Sequence, residues 1–234
     1  MVLGEVPLNP ALYLGELAFP SEGGRGMNPC LSLKELPELL VGLGSYQGTR
    51  QVQWAIRLLL LTGVRLADLR FATLDQFDFE QGLWCIDVSR HSGHEPVSRH
   101  RSKPVYIIPL STQALGLIDK LCACALPEQR YLFCHRLDPQ QTISENTLNM
   151  ALKRLGFNGR LTSLGIRSTL FEALLELGFK AVWVNAQMYH FNQEKIRRTY
   201  NHAQYIAQRR QMMQSWADLL DLREKEARFK RGIF

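Results

Sequence analysis

Residues 50–70, RQVQWAIRLLLLTGVRLADLR, place one long apolar helix, a break and the start of a second helix in a single stretch. The near-continuous apolar run reads as a buried helix to Leu61, the Thr62-Gly63 pair as a turn, and Leu66 as the start of a second, short helix. Arg65 sits at that turn. A buried helix needs other elements around it, and the flanking sequence predicts them.

Upstream, LSLKELPELLVGL (31–43) opens with Ser32 and Glu35 in capping-box spacing, and Leu33, Leu36, Leu39, Leu40 and Leu43 share one helical face. Residues 1–29, rich in Pro and Gly and without period, read as an extended linker or arm. Downstream, GLWCIDV (82–88) and PVYIIPLS (104–111) are β-branched and aromatic runs separated by a polar connection, hence the two strands of a small hairpin. From Thr112 the pattern is helical almost without interruption: 112–125, 145–155, 163–178, 181–190, and a basic 193–211 continuing into 212–230. The expected fold is mainly α with a small antiparallel β-sheet.

Composition bounds the partners. With 46% hydrophobic residues over 234, the chain can bury a sizeable core, which excludes a disordered polypeptide. A net charge of +6 favours a polyanionic partner, nucleic acid first among them. The five cysteines, Cys30, Cys85, Cys122, Cys124 and Cys134, form no paired CxxC units and read as reduced core residues of a cytoplasmic protein. Cys122, Cys124, Cys134 and His135 fit no usual zinc spacing, so no metal and no cofactor are expected. No run of about 18 apolar residues and no basic-then-apolar N-terminus supports a membrane span or signal peptide.

Three segments carry candidate chemistry: TGVRLADLR with Arg65, TSLGIRSTL with Arg167, and His190 to Tyr200, which runs into EKIRRTYNHAQY (194–205). Two arginines at helix starts, beside free N–H groups, would form a bidentate phosphate clamp; alternatively they are two surface arginines. Tyr200 is either a nucleophile beside positive charge or a packed helix tyrosine with a wet hydroxyl. His91, His94 and His100 read as solvated loop residues. Lys195, Arg197, Arg198, Arg209 and Arg210 form a basic run that is a solvated helix face or, beside a nucleophile, a set of phosphate contacts.

In order, these segments resemble the catalytic domain of site-specific tyrosine recombinases, most closely the integrases of satellite prophages and genomic islands. LLLLTGVRLADLR resembles that family's first arginine box, and GLWCID with VYIIPLS its hairpin. YLFCHR with ISENTLNMALKRLGF resembles its central helix, and the segment from QMYHF to WADLLD its histidine, nucleophile and closing helix. The resemblance covers residues 30–222, and LNPALYL resembles the linker after the family's core-binding domain. Residues 223–234 would be a C-terminal tail that docks on a neighbouring subunit or frays on its own domain.

The resemblance implies site-specific recombination of mobile or prophage DNA by cleavage and rejoining. Tyr200 would attack the scissile phosphate, Arg65 and Arg167 would grip its non-bridging oxygens, and His190 would hydrogen-bond it or assist proton transfer. Asp68 would orient Arg65. The family's hairpin lysine, a general acid, matches poorly: the connection is longer, counting back from IIPLS lands on Arg101, and Lys103 is the lysine available. Arg101, Lys195, Arg197 and Arg198 would contact double-stranded attachment-site DNA, on which a homotetramer would assemble. The family's HxxR box here begins with Leu164, which offers neither a hydrogen bond nor a proton. That departure implies a slow enzyme, or a degenerate relative that binds DNA or a partner recombinase as an accessory protein. A type IB topoisomerase-like enzyme fits the spacing less well. Neither of the family's other DNA-gripping domains fits in residues 1–29, so a fragment or a short, weakly binding relative is expected.

Overall fold

The structure, a computed structural model, describes residues 28–87, 105–189 and 205–232. It is mainly helical with one three-stranded antiparallel sheet, as expected. The elements are α1 (Leu36–Gly44), α2 (Arg50–Thr62), α3 (Leu66–Arg70), a 3-10 turn (Leu74–Gln76), β1 (Phe77–Asp78), β2 (Leu83–Asp87) and β3 (Val105–Pro109). After the sheet come α4 (Thr112–Ala123), α5 (Thr147–Arg154), α6 (Ser163–Glu176), α7 (Ala181–Gln187) and α8 (Ile206–Lys230).

Helix α2 is the axis of the core, and α1, α4, α5, α6 and α8 all pack against it. From Leu58 to Thr62 every residue of α2 is buried, which accounts for the loss of helical alternation in that part of the sequence. At α1 the expected capping contact forms: the Ser32 N–H and hydroxyl donate to the Glu35 carboxylate at 3.0 and 2.8 Å. Regular helix starts only at Leu36, because Pro37 has no N–H for the Leu33 carbonyl.

The sheet departs from the expected two-stranded hairpin by one strand. β1 pairs with β2 and is two residues long, too short to leave a periodic signal. Phe77 stacks on Trp84 with ring centroids 4.9 Å apart. In the β2–β3 register Trp84 faces Ile108 and Ile86 faces Tyr106, so one face of the hairpin closes the core.

Between α4 and α5, in the gap left between the expected helices 112–125 and 145–155, Cys134 and Thr142 form an isolated antiparallel β-bridge and the Leu132 N–H donates to the Ala72 carbonyl. Pro127 and Pro139 mark this stretch as non-helical. The cysteines are not all core residues: Cys134 is buried, Cys30, Cys85 and Cys122 are half-buried, and Cys124 is exposed. At the other end, residue 222 falls inside α8, which runs unbroken to Lys230. Arg57 of α2 pairs with Asp221 at 2.8 Å and with Glu224, tying that helix to its own domain. Among the described residues, no helix is long and apolar enough to cross a membrane, and no three His, Cys, Asp or Glu side chains gather to hold a metal ion.

The incoming segment is laid across α6. Leu31 N–H donates to Thr169 Oγ1 at 2.9 Å, and an added Cβ at Gly165 would lie 1.9 Å from the Pro29 carbonyl oxygen. Main chain cannot yield as a side-chain tip can, so Gly165→Ala is expected to destabilise the domain by about 3 kcal/mol in urea unfolding. A loss below about 0.5 kcal/mol would show that the segment does not hold this position.

Candidate active site

The site is built on the end of α2. The last carbonyls of a helix lack intrahelical partners, and this end lies inside the core, where such groups must find donors. Leu59 O accepts from Gly63 N–H at 2.8 Å, Leu60 O from the Trp216 indole at 2.9 Å, and Thr62 O from the Gln187 amide at 2.8 Å. Gly63 O accepts from the Arg167 guanidinium. Side chains from α8, α7 and α6 thus hold one turn, and a cation at this end also suits the helix dipole.

Gly63 occupies that turn at φ 67°, in the left-handed region. An added Cβ would come within 2.7 Å of Leu170 Cδ2 and 2.9 Å of Met188 Cε, so both the conformation and the space require glycine. Two residues on, Arg65 immediately precedes α3 with extended backbone and receives Leu69 N–H on its carbonyl at 3.0 Å. Its guanidinium carbon lies 5.1 Å from the centroid of the Tyr189 ring.

Arg167 is 8% exposed and bonds a second carbonyl, that of Met188. It therefore clips the turn after α2 to the turn after α7. Burial, and then the neighbouring Arg65, hold the Arg167 guanidinium below its ordinary value, yet an arginine at such a site stays charged. Of its five N–H donors, the two carbonyls leave several for an anion. The structure thus brings Arg65 and Arg167, distant in sequence, to one turn.

Their helix settings differ from two long helix starts with free N–H groups. The helix after Arg65 has five residues, and Arg167 lies one turn inside α6. Near the start of α6, Ser163 N–H already donates to Asn149 Oδ1 at 2.8 Å and Gly165 N–H to Thr162 Oγ1 at 2.9 Å. The N–H groups at this helix start are therefore taken, and an anion near Arg167 would meet its guanidinium and not the helix end.

Asp68 is 4% exposed and belongs to the same cluster, its charge felt by Arg167, Tyr106 and Tyr189. Leu164 is 51% exposed, three residues before Arg167 on α6. Arg209, expected on a solvated or phosphate-contacting face, is instead 2% exposed; it donates to Gln187 Oε1 at 3.1 Å and to the Ile107 carbonyl at 2.6 Å. Arg210 likewise turns to protein, donating to the Gln81 carbonyl at 2.8 Å.

Beneath the arginines runs a polar network absent from the sequence expectations. The Tyr106 hydroxyl donates to the Gln187 carbonyl, and burial pushes its pKa up to about 12, so it stays a donor through the neutral range. Gln187 joins α2, α7 and Arg209, and Arg209 reaches β3. The signal for Arg209 was present: it shares an α8 face with Met212, Met213 and Trp216, all buried. His190, Tyr200, Lys103, Arg101, Lys195, Arg197 and Arg198, together with His91, His94 and His100, lie outside the described residues.

The family model described as the phage integrase family matches residues 31–206. The chain is 34% identical over 204 residues to the integrase of Enterobacteria phage P4, covering 83% of this chain and 46% of that protein. It is 33% identical over 234 residues to the putative protein IntB of Escherichia coli (strain K12), covering 94% of this chain and 56% of the relative. It therefore spans about half the length of the curated relatives it matches. Among solved structures, the integrase from mycobacterium phage Brujita aligns with a TM-score of 0.57 at 14% identity, covering 88% of this chain and 66% of that one. The Tn1549 transposon integrase in complex with circular intermediate DNA aligns with a TM-score of 0.56 at 18% identity, covering 82% and 67%. At such identities the likeness speaks for the fold.

Proposed function

The chain belongs to the phage integrase family, and from that premise we propose that it is the catalytic domain of a site-specific recombinase cleaving and rejoining mobile-element DNA through a phosphotyrosine. The observation that supports this reading is the convergence of Arg65 and Arg167 on the Gly63 turn, two cations that would oppose the charge a phosphodiester gains during substitution.

Tyr200 supplies the nucleophile. Its phenol, with a reference pKa of about 10, loses its proton as the oxygen attacks phosphorus. A tyrosine–phosphorus bond forms, the bond to the 5′-oxygen breaks, and Lys103 protonates that leaving oxygen. The 3′-phosphotyrosine conserves the ester, so a 5′-hydroxyl from another strand reverses the step without an external energy source. Arg65 and Arg167 oppose the charge on the non-bridging oxygens, and His190 hydrogen-bonds the phosphate or passes the proton. Arg101, Lys195, Arg197 and Arg198 neutralise backbone phosphates, which makes binding steeply salt-dependent. The partners are double-stranded attachment sites bridged by a homotetramer, in an intracellular, DNA-associated setting.

A nicked suicide duplex carrying the attachment site tests the assignment, because loss of the short cleaved strand traps the covalent complex. Wild type is expected to give a denaturant-resistant protein–DNA adduct and Tyr200→Phe none, with equal DNA binding by both. An adduct of normal yield from Tyr200→Phe would remove Tyr200 from its role.

A further inference from the structure

We propose that Tyr189 is a positioning residue for Arg65: its ring is the platform on which the guanidinium lies, leaving the N–H edge free to meet a phosphate. The inference rests on the recombinase reading for its consequence, but its geometry stands independently. Two arginines of the clamp are held in different ways. Arg167 is fixed by hydrogen bonds to two carbonyls, whereas among the described residues Arg65 meets the Tyr189 ring, 5.1 Å from its centroid, and no carboxylate or carbonyl. An arginine held by a ring and not by acceptors keeps all its donors, and the contact restricts a long side chain that would otherwise lose rotamer freedom on binding.

The backbone is arranged to put the ring there. Tyr189 has φ 50°, a left-handed conformation that a bulky residue adopts only when its surroundings impose it. The two preceding carbonyls are both held: that of Gln187 accepts from the Tyr106 hydroxyl and that of Met188 from Arg167. The Tyr106 ring packs on the Tyr189 ring, with centroids 4.9 Å apart and planes inclined by 46°. Contacts thus run from β3 through Tyr106 and Tyr189 to Arg65. Tyr189 also directly precedes His190 in the chain, so one residue links the first arginine to the histidine segment.

The test compares Tyr189→Leu with Tyr189→Phe in the full chain. By NMR, the side-chain protons of Arg65, assigned with Arg65→Lys, are expected to show the upfield ring-current shift of a cation over an aromatic face in wild type and Tyr189→Phe, and to lose it in Tyr189→Leu. On the suicide duplex, Tyr189→Leu is expected to form adduct about 10-fold more slowly and Tyr189→Phe to restore the rate to within about 3-fold, since only orientation is lost. On the same duplex with a neutral methylphosphonate at the scissile position, one negative charge is gone and one cation is redundant, so Tyr189→Leu is expected to match wild type. An Arg65 shift unchanged in Tyr189→Leu, or equal rate losses on both duplexes, would overturn the proposal. If wild type forms no adduct on either duplex, the recombinase reading fails, and the NMR comparison alone decides whether the platform exists.

Discussion

Arg167→Ala is expected to lower domain stability by about 3 kcal/mol, with a thermal midpoint about 6–12 °C below wild type. The magnitude follows from what the guanidinium leaves behind. Its loss orphans the carbonyls of Gly63 and Met188, and each unsatisfied buried acceptor costs about 1–3 kcal/mol. Relief from burying a cation offsets part of that sum. Lysine keeps the charge, but a compact ammonium cannot span two carbonyls as a planar fork does. Arg167→Lys is therefore expected to recover about half of the stability while forming covalent adduct about 10²–10³-fold more slowly than wild type. Circular dichroism on heating and the suicide duplex measure the two effects separately. An alanine variant as stable as wild type would show that the turns after α2 and α7 are not held by this side chain.

The same residue shows what could be read before any coordinates. Arg167 stands out in TSLGIRSTL as one of two cations near turns, and the other turn, beside Arg65, is legible because the Thr62-Gly63 pair ends an unbroken apolar run. The double duty of Arg167 was not legible, since nothing local says that the carbonyls of Gly63 and Met188 will face it. Arg209 was misread for a related reason. A run of basic residues suggests solvent or phosphate, and only the register of Met212, Met213 and Trp216 on the same face argues for burial. Gln187 and Tyr106 carry no local sign of their roles, because a buried polar network is defined by partners from four elements, α2, β3, α7 and α8, that assemble only in the fold. The third strand failed to register because two residues contain no period. Helices of ten or more residues with an apolar stripe, such as α2 and α6, were placed to within a residue or two.

Leu164→His is expected to raise the rate of adduct formation by about 10²–10⁴-fold, the usual range for one positioned acid–base group. The position is suited to the experiment. Leu164 lies in the first turn of α6, three residues before Arg167 and so on the same side of the helix, and is 51% exposed. The main chain on either side is already anchored by Asn149 and Thr162, so an exposed substitution there should shift stability by no more than about 0.5 kcal/mol. Leucine neither donates a hydrogen bond to a phosphate nor carries a proton; imidazole does both and has a reference pKa of about 6.5. A base must be unprotonated to accept the nucleophile's proton. The gain of Leu164→His over wild type should therefore grow as pH rises through about 6–7. A folded variant with no gain at any pH would show that the chemistry does not pass through this position. An adduct from Leu164→His where wild type forms none would mean that the natural chain binds DNA without cutting it, as an accessory protein would, and that one side chain separates the two behaviours.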